Sequence, residues 1–597
     1  MSISTVKQII SVKINLDPHE INSKYEDIIK NKLKNKYGDK CYVNGYIYKS
    51  SIEIVKISGG RCLGSHLHGA YTFEVAFAAL FSIPIKGDKI QCKINTINTF
   101  GIVASAYPIS KIFIPRTIQL SKNPDVLEKL SVNSFILVEI MDSAIVDNKL
   151  CVGGFIVETN IAPPNIFIIP NAMSNITIGI IKSKEMSKPL MINGLPLLGN
   201  NEEVLTAEHR IKDEKIWSKH IRKLINPYEM LNDHGNLVSI DSSVVSRAFF
   251  KLWEILNDLA GPNEDRSIKI ACLAEAPGGF ISSLWNYRNK IVNQSNDEFW
   301  TISLRKSDVT GSSVRDFDDD SSRYLFDYMR KHNGTNGSIN VDDKTSGDLT
   351  DISVIKSFIS DVGRNSCEYI TADGGIDKST NELYDLEEIA NAKLFYGEII
   401  TALGLQKEGG TFVIKFYDIY YEITVQLILL LQKFYEKVSI TKPKTSRPAN
   451  SEKYIVAEKF IGINDSDLEE YLTLLNTWNT IETQPLPNYK ENKDFVERLF
   501  NISIDPDSEF IDSLKSFNEK TSREQLRKLI DGIGIYDTYE NELKSYTGAS
   551  FSMKSAKSVN NFDKFAKEIR YNQNDLAIEW CKSYNIPTKK INLSKLN

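Results

Sequence analysis

The 597-residue sequence predicts a multidomain fold: a central α/β domain with a mostly parallel sheet, a β-rich module before it and a helical region after it. Three patterns carry this reading. From about residue 206, helical stretches alternate with the short apolar strands IKIACLA (268–274), EYITA (368–372) and TFVIKF (411–416), the rhythm of βα units. Upstream, residues 1 to about 157 hold runs such as CYVNGYIY (41–48) and QCKINTI (91–97) cut by Gly and Asp turns, which predicts an all-β barrel core. Beyond 463, LEEYLTLLNTW and REQLRKLIDGI have helical spacing, so 463–597 is expected to be a helical extension.

Two segments interrupt these elements. Residues 158–205 contain Pro163, Pro164, Pro170, Pro189 and Pro196 and are expected to be a linker with limited structure of its own. The stretch 311–347, rich in Asp, Ser, Gly and Asn, reads as a surface insertion with a helix near YLFDYMRK. The α/β domain is thereby bounded at 206–462.

Composition narrows the classes. A net charge of -5 excludes a polycation that coats nucleic acid, so any such binding is local. The cysteines (Cys41, Cys62, Cys92, Cys151, Cys272, Cys367, Cys581) form no CxxC pair, which predicts a reducing compartment, no disulfides and no bound metal. Neither a signal segment nor an apolar run of roughly 18 residues is evident, so the expectation is a soluble intracellular protein without a membrane partner. The abundance of Lys, Ile and Asn suggests an AT-rich genome, as in some protists and large DNA viruses; the compartment expected is the cytoplasm or, for a virus, the viral factory or virion.

Chemistry concentrates at four places. In LAEAPGGF (273–280) an apolar strand runs into Ala276, Pro277, Gly278, Gly279 and Phe280 before a helix; the glycines leave room for a nucleoside, and the helix start offers free N–H groups. The same residues also suit a plain strand-to-helix turn. Asp373 and Lys415 each follow an apolar strand, and the carboxyl ends of parallel strands line the ligand crevice of an open α/β sheet. Alternatively, Asp373 is a turn former before Gly374 and Gly375, and Lys415 snorkels outward. In SRAFFKLWEIL (246–256), Val245, Ala248, Phe249, Leu252 and Leu256 share one helical face; Arg247 and Lys251 lie on the other, which taken alone reads as a solvated side. In SRPANSEKYIVAEKF (446–460), Glu452 precedes an apolar strand and joins the crevice edge if that strand runs antiparallel.

Taken in order, SRAFFKL, LAEAPGGF, ITADGG with FVIKF, and SRPANSEKYIV resemble the FtsJ-like RNA 2'-O-methyltransferases, most of all the cap-specific ribose methyltransferases. The resemblance implies a Rossmann-like domain and a catalytic tetrad of Lys251, Asp373, Lys415 and Glu452. It also implies S-adenosyl-L-methionine bound by Ala276, Pro277, Gly278, Gly279 and Phe280, by Asp348 in GDLTD and by Asp373. The partner implied is RNA, specifically the capped 5' end of mRNA. Ribosomal or transfer RNA as substrate, or a non-enzymatic polymerase-associated scaffold, are the alternatives. The strand WTISLRK (300–306) departs from the pattern, lacking an acid where many such enzymes hold the cofactor ribose. By the same resemblance Lys415 is the base for in-line attack of a ribose 2'-hydroxyl on the donor methyl. A free lysine titrates at about 10.4, so this needs a lowering of roughly 2 to 3. Lys251, burial and a sulfonium push in that direction; Asp373 and Glu452 push the other way, which leaves positioning as a second role for Lys415.

The N-terminal region resembles a different family, the stalk subunit of RNA polymerase II and its archaeal counterparts. The similar segments are INLDPHEINSKYEDIIKNKL leading to GYIY, then IKGDKIQCKINTINTFGIVASAYPISKIFIP. A tip domain over 1–84 and an OB-fold-like barrel over 85–157 are implied, with RNA polymerase subunits as partners and a tether to transcription. Phe100, Tyr107 and Phe113 are candidates for stacking single-stranded RNA, or else core residues of the barrel.

Overall fold

The computed structural model describes residues 5–588 apart from short stretches, of which those of six residues or more are 63–69, 124–129, 160–165, 185–190, 197–203, 232–237, 306–316, 333–338, 377–386, 484–491 and 546–560. The chain divides into two compact units, Met1–Pro164 and Asn165–Asn597.

The first unit opens with β1 (Thr5–Leu16), α1 (Tyr25–Tyr37), β2 (Lys40–Tyr42), β3 (Gly45–Ile47), β4 (Glu53–Ile57), β5 (Arg61–Cys62) and β6 (Tyr71–Ser82). Strand β6 is the spine of this sheet, pairing antiparallel with β1 from Thr5↔Ser82 to Leu16↔Tyr71 and also with β3, β4 and β5. Alternation in β1 turns Val12, Ile14 and Leu16 inward, where Ile29 and Leu33 of α1 cover them. Next come β7 (Lys89–Ile97), β8 (Gly101–Ala106), β9 (Ile109–Pro115), α2 (Arg116–Lys122), β10 (Phe135–Val146) and β11 (Lys149–Thr159). The five strands close into a barrel in the order β10-β11-β9-β8-β7, and the β9–β11 pair is parallel. Ile94, Ile102, Ile112, Ile136 and Val152 fill it, and Gln119 of α2 exchanges hydrogen bonds with both backbone groups of Ile156. Among the aromatics singled out, Phe100 stands 79% exposed at the β7–β8 turn and Phe113 is half-buried; Tyr107 lies outside the described residues.

The second unit starts with β12 (Ile166–Ile168), β13 (Thr177–Ser183), the short hairpin of β14 (Met191–Ile192) and β15 (Leu195–Pro196), and helical turns over 214–224. It continues with α3 (Ala248–Ile255), β16 (Lys269–Leu273), α4 (Gly279–Lys290), β17 (Glu298–Ile302), α5 (Asp320–His332), β18 (Ile339–Val341), α6 (Ile352–Val362) and β19 (Cys367–Ala372). Then follow α7 (Glu387–Leu405), β20 (Gln406–Phe416), α8 (Glu422–Phe434), β21 (Tyr435–Thr441), β22 (Lys453–Phe460), α9 (Asp465–Ile481), β23 (Phe495–Asn501), α10 (Glu509–Ser545) and α11 (Asn561–Ser583). The main sheet has the order β12-β21-β22-β20-β19-β16-β17-β18. Strands β18, β17, β16, β19 and β20 are parallel, and β22 runs antiparallel beside β20. Burial on both faces explains why the central strands are almost wholly apolar rather than alternating.

Three expectations need revision. The segment 158–205 is more than a linker: β12 extends the main sheet through Ile166↔Thr441, and β13 pairs with β23 from beyond residue 463. Prolines can flank or end such edge strands because an edge leaves N–H groups unpaired anyway. Pro163, Pro164 and Pro189 lie outside the described residues. The insertion helix is not a free surface feature either. Leu325 and Met329 of α5 are fully buried, and Ser322 donates to the Pro277 carbonyl at 2.7 Å. Finally, the region after 463 is helical as expected but is not a separate extension, since Leu475 and Trp478 of α9 and Trp580 of α11 are buried in the α/β core. Among the described residues no helix is long and apolar enough to cross a membrane, and no cluster of potential metal ligands occurs.

Candidate active site

Register places the first two polar groups. Ala372 pairs with Leu273 on one side and with Ile414 on the other, so Asp373 and Lys415 emerge side by side where β19 and β20 end. The Lys415 Nζ donates to the Asp373 backbone carbonyl at 2.7 Å and lies 3.4 Å from its Oδ1. Because β22 is antiparallel to β20, with Lys415 opposite Tyr454, the start of β22 reaches the same edge. The Tyr454 hydroxyl donates to Asp373 Oδ1 at 3.1 Å, and Glu452, two residues earlier, pairs with Lys251 of α3 at 2.7 Å. Lys251, Asp373, Lys415 and Glu452 thus occupy one edge as two ion pairs. Ser446 Oγ donates to the other Glu452 oxygen at 2.9 Å.

Helix α3 does not present a solvated side. Phe249, Leu252 and Trp253 pack into the core, while on other faces Glu254 is buried and Lys251 nearly so. Arg247 and Arg447 both bind the buried Glu229, whose oxygens also receive the Asn226 amide. Glu254 accepts the backbone N–H groups of Lys444 and Thr445, each at 2.8 Å, and the Trp580 indole N–H at 3.0 Å. Two buried carboxylates therefore tie the 444–452 loop to α3, and one of them also anchors α11.

Electrostatics differ across the edge. Burial opposes the Glu452 charge, but Lys251 above all, with Lys415 and Lys442, holds its carboxyl at about 2. Burial likewise pulls Lys415 down; Asp373 foremost, with Tyr417, Glu452 and Glu398, overrides it and keeps the ammonium well above the ordinary lysine range. Among protein groups the opposing pushes on Lys415 therefore sum upward. Glu398 of α7 is fully buried behind the turn, where one oxygen accepts the Gly374 N–H at 3.1 Å. Burial chiefly, with Asp373, pushes it up to about 8 against the pull of Lys415. Glu275 is pushed well above the carboxylate range by burial, then by Asp373 and Glu398. Lys442, pulled down to about 7 by burial and by Lys453, donates to the Asn450 and Glu452 carbonyls and so holds the loop that presents Glu452.

The Pro-Gly-Gly turn divides its glycines by task. Gly278 has φ +106°, a conformation that costs an L residue a Cβ clash, whereas at Gly279 a Cβ would fall 2.2 Å from Ser246 Oγ and 2.8 Å from the Ala248 Cβ. The space beside Gly279 thus accommodates the start of α3, not a ligand. The Phe280 ring is fully buried against Tyr454, so its side chain serves packing. Ala276 donates its N–H to Ser303 Oγ at 3.3 Å, and a Cβ on Gly347 would meet the Ser303 carbonyl at 2.0 Å. The 345–348 turn consequently leans on the end of β17 beside the Pro-Gly-Gly turn. Asp348 there accepts both the N–H and the hydroxyl of Thr350, each at 2.8 Å.

Sequence reading did not single out Tyr454, Glu398, Glu275, Glu229, Lys442 or Ser446. Glu398 and Glu275 carried a signal, each a lone carboxylate in an otherwise apolar run, LFYGEIITALGL and IACLAEAPGGF. The others lie within polar or mixed runs, and their roles depend on partners far along the chain.

A doubly wound sheet that gathers polar side chains at the carboxyl ends of its strands defines the α/β class that binds ligands at that edge. Within it, residues 244–460 match the FtsJ-like methyltransferase family, a span containing all four residues of the two ion pairs. A protein of African swine fever virus named probable methyltransferase EP424R is 26% identical over 267 residues, which cover 44% of this chain and 59% of that protein. The cap-specific mRNA (nucleoside-2'-O-)-methyltransferase 1 of Mus musculus is 34% identical over 187 residues, 31% of this chain and 21% of that protein. Its Homo sapiens counterpart is 28% identical over 326 residues, 52% of this chain and 36% of that protein. The chain therefore spans no more than about three fifths of these relatives.

Proposed function

We propose that this chain is an S-adenosylmethionine-dependent mRNA cap ribose 2'-O-methyltransferase. The observation that carries the reading is the double ion pair Lys251–Glu452 and Lys415–Asp373 on one sheet edge. Similarity to cap-specific enzymes supports the choice of capped mRNA over other RNA.

The residues suit a cationic methyl donor. Glu275 and Glu398 are buried beside Asp373, and an oxygen of each has no hydrogen bond among the described residues, so polar atoms remain behind the Asp373 turn while Asp373 itself is the carboxylate placed to meet a ligand bearing positive charge. Ala276, Pro277, Gly278, Gly279, Asp348 and Asp373 would hold S-adenosylmethionine, with Phe280 contributing its backbone. When bound, this group supplies an electrophilic methyl on a sulfonium whose positive charge lowers the pKa of a neighbouring lysine. Asp373 and the Asp373 carbonyl aim Lys415 Nζ; Glu452, held by Lys251 and Ser446, accepts from the ribose side and orients the 2'-hydroxyl. Lys415, whose ammonium Asp373 and Glu452 keep protonated, holds the 2'-hydroxyl in line for attack and stabilises its oxygen as the proton leaves to solvent, so positioning contributes much of the rate. Within the same reading, the β-rich unit over 1–157, with its five-stranded barrel, is an OB-type module that tethers the enzyme near an RNA polymerase.

The test is transfer of labelled methyl from S-adenosylmethionine to short RNAs with and without a methylated cap, followed by nuclease mapping. Label on a cap-proximal 2'-oxygen that requires the cap is expected. Equal labelling without a cap moves the substrate to another RNA, and absence of labelling overturns the enzyme reading.

A further inference from the structure

The turn that follows β19 carries two glycines that no backbone torsion demands, since neither Gly374 nor Gly375 adopts the left-handed conformation of Gly278. Space accounts for them instead. At Gly374 a Cβ would fall 2.0 Å from Glu398 Oε1 and 3.1 Å from the Ala274 Cβ, so this glycine admits the carboxyl that accepts its own N–H. Gly375 meets different atoms. A Cβ there would fall 2.6 Å from the Tyr417 hydroxyl oxygen, 3.0 Å from Lys415 Nζ and 3.4 Å from Lys415 Cε. The polar ends of two side chains thus stand within 3.0 Å of one point, and a glycine leaves that point empty.

Both ends come from the same stretch of chain. Lys415 lies at the end of β20, and Tyr417 follows two residues on, the spacing at which extended backbone returns side chains to one side. The Lys415 ammonium is 5.8 Å from the centre of the Tyr417 ring, within reach of a cation–π contact, and the Phe395 ring packs 6.0 Å from that same ring. Burial, against the pull of Lys415, holds the Tyr417 hydroxyl well above its ordinary value, so it stays neutral beside the ammonium. Gly375 is exposed, whereas the Lys415 side chain is only 10% exposed. The glycine is therefore an exposed wall of the space that the buried ammonium occupies.

We propose that Gly375 is a positioning residue for methyl transfer: by lacking a side chain it lets Lys415 Nζ and the Tyr417 hydroxyl share one small space, which fixes the ammonium where the ribose 2'-hydroxyl meets it. This rests on the functional reading above and deepens it, naming what sets the Lys415 ammonium besides Asp373. The atoms that a methyl group at 375 would meet are the far ends of side chains, not backbone. Such a group is cheap for the fold, because those ends can move aside. It is costly for the reaction, where misplacing a reacting group by about 1 Å costs about 100-fold.

The experiment compares Gly375→Ala, Tyr417→Phe and the double variant in the full chain, by kcat and KM for capped RNA, S-adenosylmethionine affinity by calorimetry, and thermal unfolding. Gly375→Ala is expected to lower kcat about 100-fold while KM, donor affinity and Tm stay near the parent values. Tyr417→Phe keeps the ring beside the ammonium and should cost about threefold alone. It removes the oxygen that a methyl at 375 would crowd most, so the double variant should exceed Gly375→Ala by about tenfold in kcat. A kcat for Gly375→Ala within about threefold of the parent overturns the proposal. So does a loss matched by falls in Tm and donor affinity, or a double variant no faster than Gly375→Ala. Should the parent methylate no RNA, the functional reading falls by itself, and trace acetylation of Lys415 by acetic anhydride, read by mass spectrometry, decides the geometry. An ammonium displaced from the Asp373 carbonyl should be acetylated several-fold faster in Gly375→Ala than in the parent; an unchanged rate overturns the proposal.

Discussion

The two sides of the sheet edge gather different ionisable groups. Around the 373–375 turn, Asp373, Glu275 and Glu398 surround a single lysine, Lys415. Around the 442–452 loop, Lys251, Lys442, Arg247 and Arg447 outnumber Glu452 and Glu229. Both groups are buried, and because unmatched buried charge is costly the surplus carboxyls of the first side, Glu275 and Glu398, are pushed towards their protonated forms. The titration pattern follows the ion pairs: Glu229 and Glu452, each paired with a cation, are held near 2, while the unpaired Glu254 and Glu398 are pushed up to about 7 and about 8 by burial.

The contrast can be broken most severely at Lys415, the one cation of the acidic side. Lys415→Ala should reduce kcat for methyl transfer by about 10³ to 10⁴ while donor binding measured by calorimetry is largely retained; near-parental turnover would remove Lys415 from the chemistry. On the basic side, Glu229→Ala strands Arg247 and Arg447 without their shared counter-charge. It should cost about 3 kcal/mol in urea unfolding at pH 7. In the parent, the contribution of Glu229, depressed to about 2 from an ordinary 4.5, is present above about 4.5 and lost as pH falls towards 2.

Glu398 sharpens the comparison, because it acts through the turn and not on substrate. Glu398→Ala should lower kcat about tenfold by freeing the Gly374 N–H, whereas Glu398→Gln keeps an acceptor and should stay within about threefold. The pH dependence has the opposite sign to that of Glu229. A carboxyl raised to about 8 in the folded state retains its proton there while the unfolded chain loses it, so the parent loses stability as pH rises from about 4.5 to 8. Glu398→Gln should reduce that loss, read as a smaller difference between unfolding at pH 5.5 and at pH 8.5. The smallest effect is expected at Trp580→Phe, which removes the indole N–H from Glu254. A decrease of about 1 kcal/mol is expected by thermal unfolding, with a measurable rise in KM for RNA if α11 sets the 444–445 loop through Glu254.

Local pattern carried much of the candidate site. Asp373 and Lys415 were legible because each ends an apolar strand, and parallel strands bring their carboxyl ends together. Glu452 required a conditional step, an antiparallel β22, and that pairing is observed. The helix expected near YLFDYMRK is observed as α5, but reading 158–205 as a linker and the insertion as a surface feature fell short for a common reason. Proline, asparagine and glycine mark irregular backbone, but they do not tell whether that backbone pairs or packs with residues far along the chain, as Ile166 does with Thr441 and Ser322 with Pro277.

By itself, then, the sequence determined the alternation of elements, the strand-end polar groups and the turn that needs Gly278. Those features follow from short-range sterics and from periodicity of apolar residues, which any segment carries within itself. Only the tertiary structure decided that Gly279 serves helix packing, that Tyr454 and Glu398 buttress Asp373 and its turn, and that α11 clamps the helix bearing Lys251. Each of these is a contact between segments far apart in the chain; its energy depends on burial and on a partner's charge, neither of which a local pattern encodes.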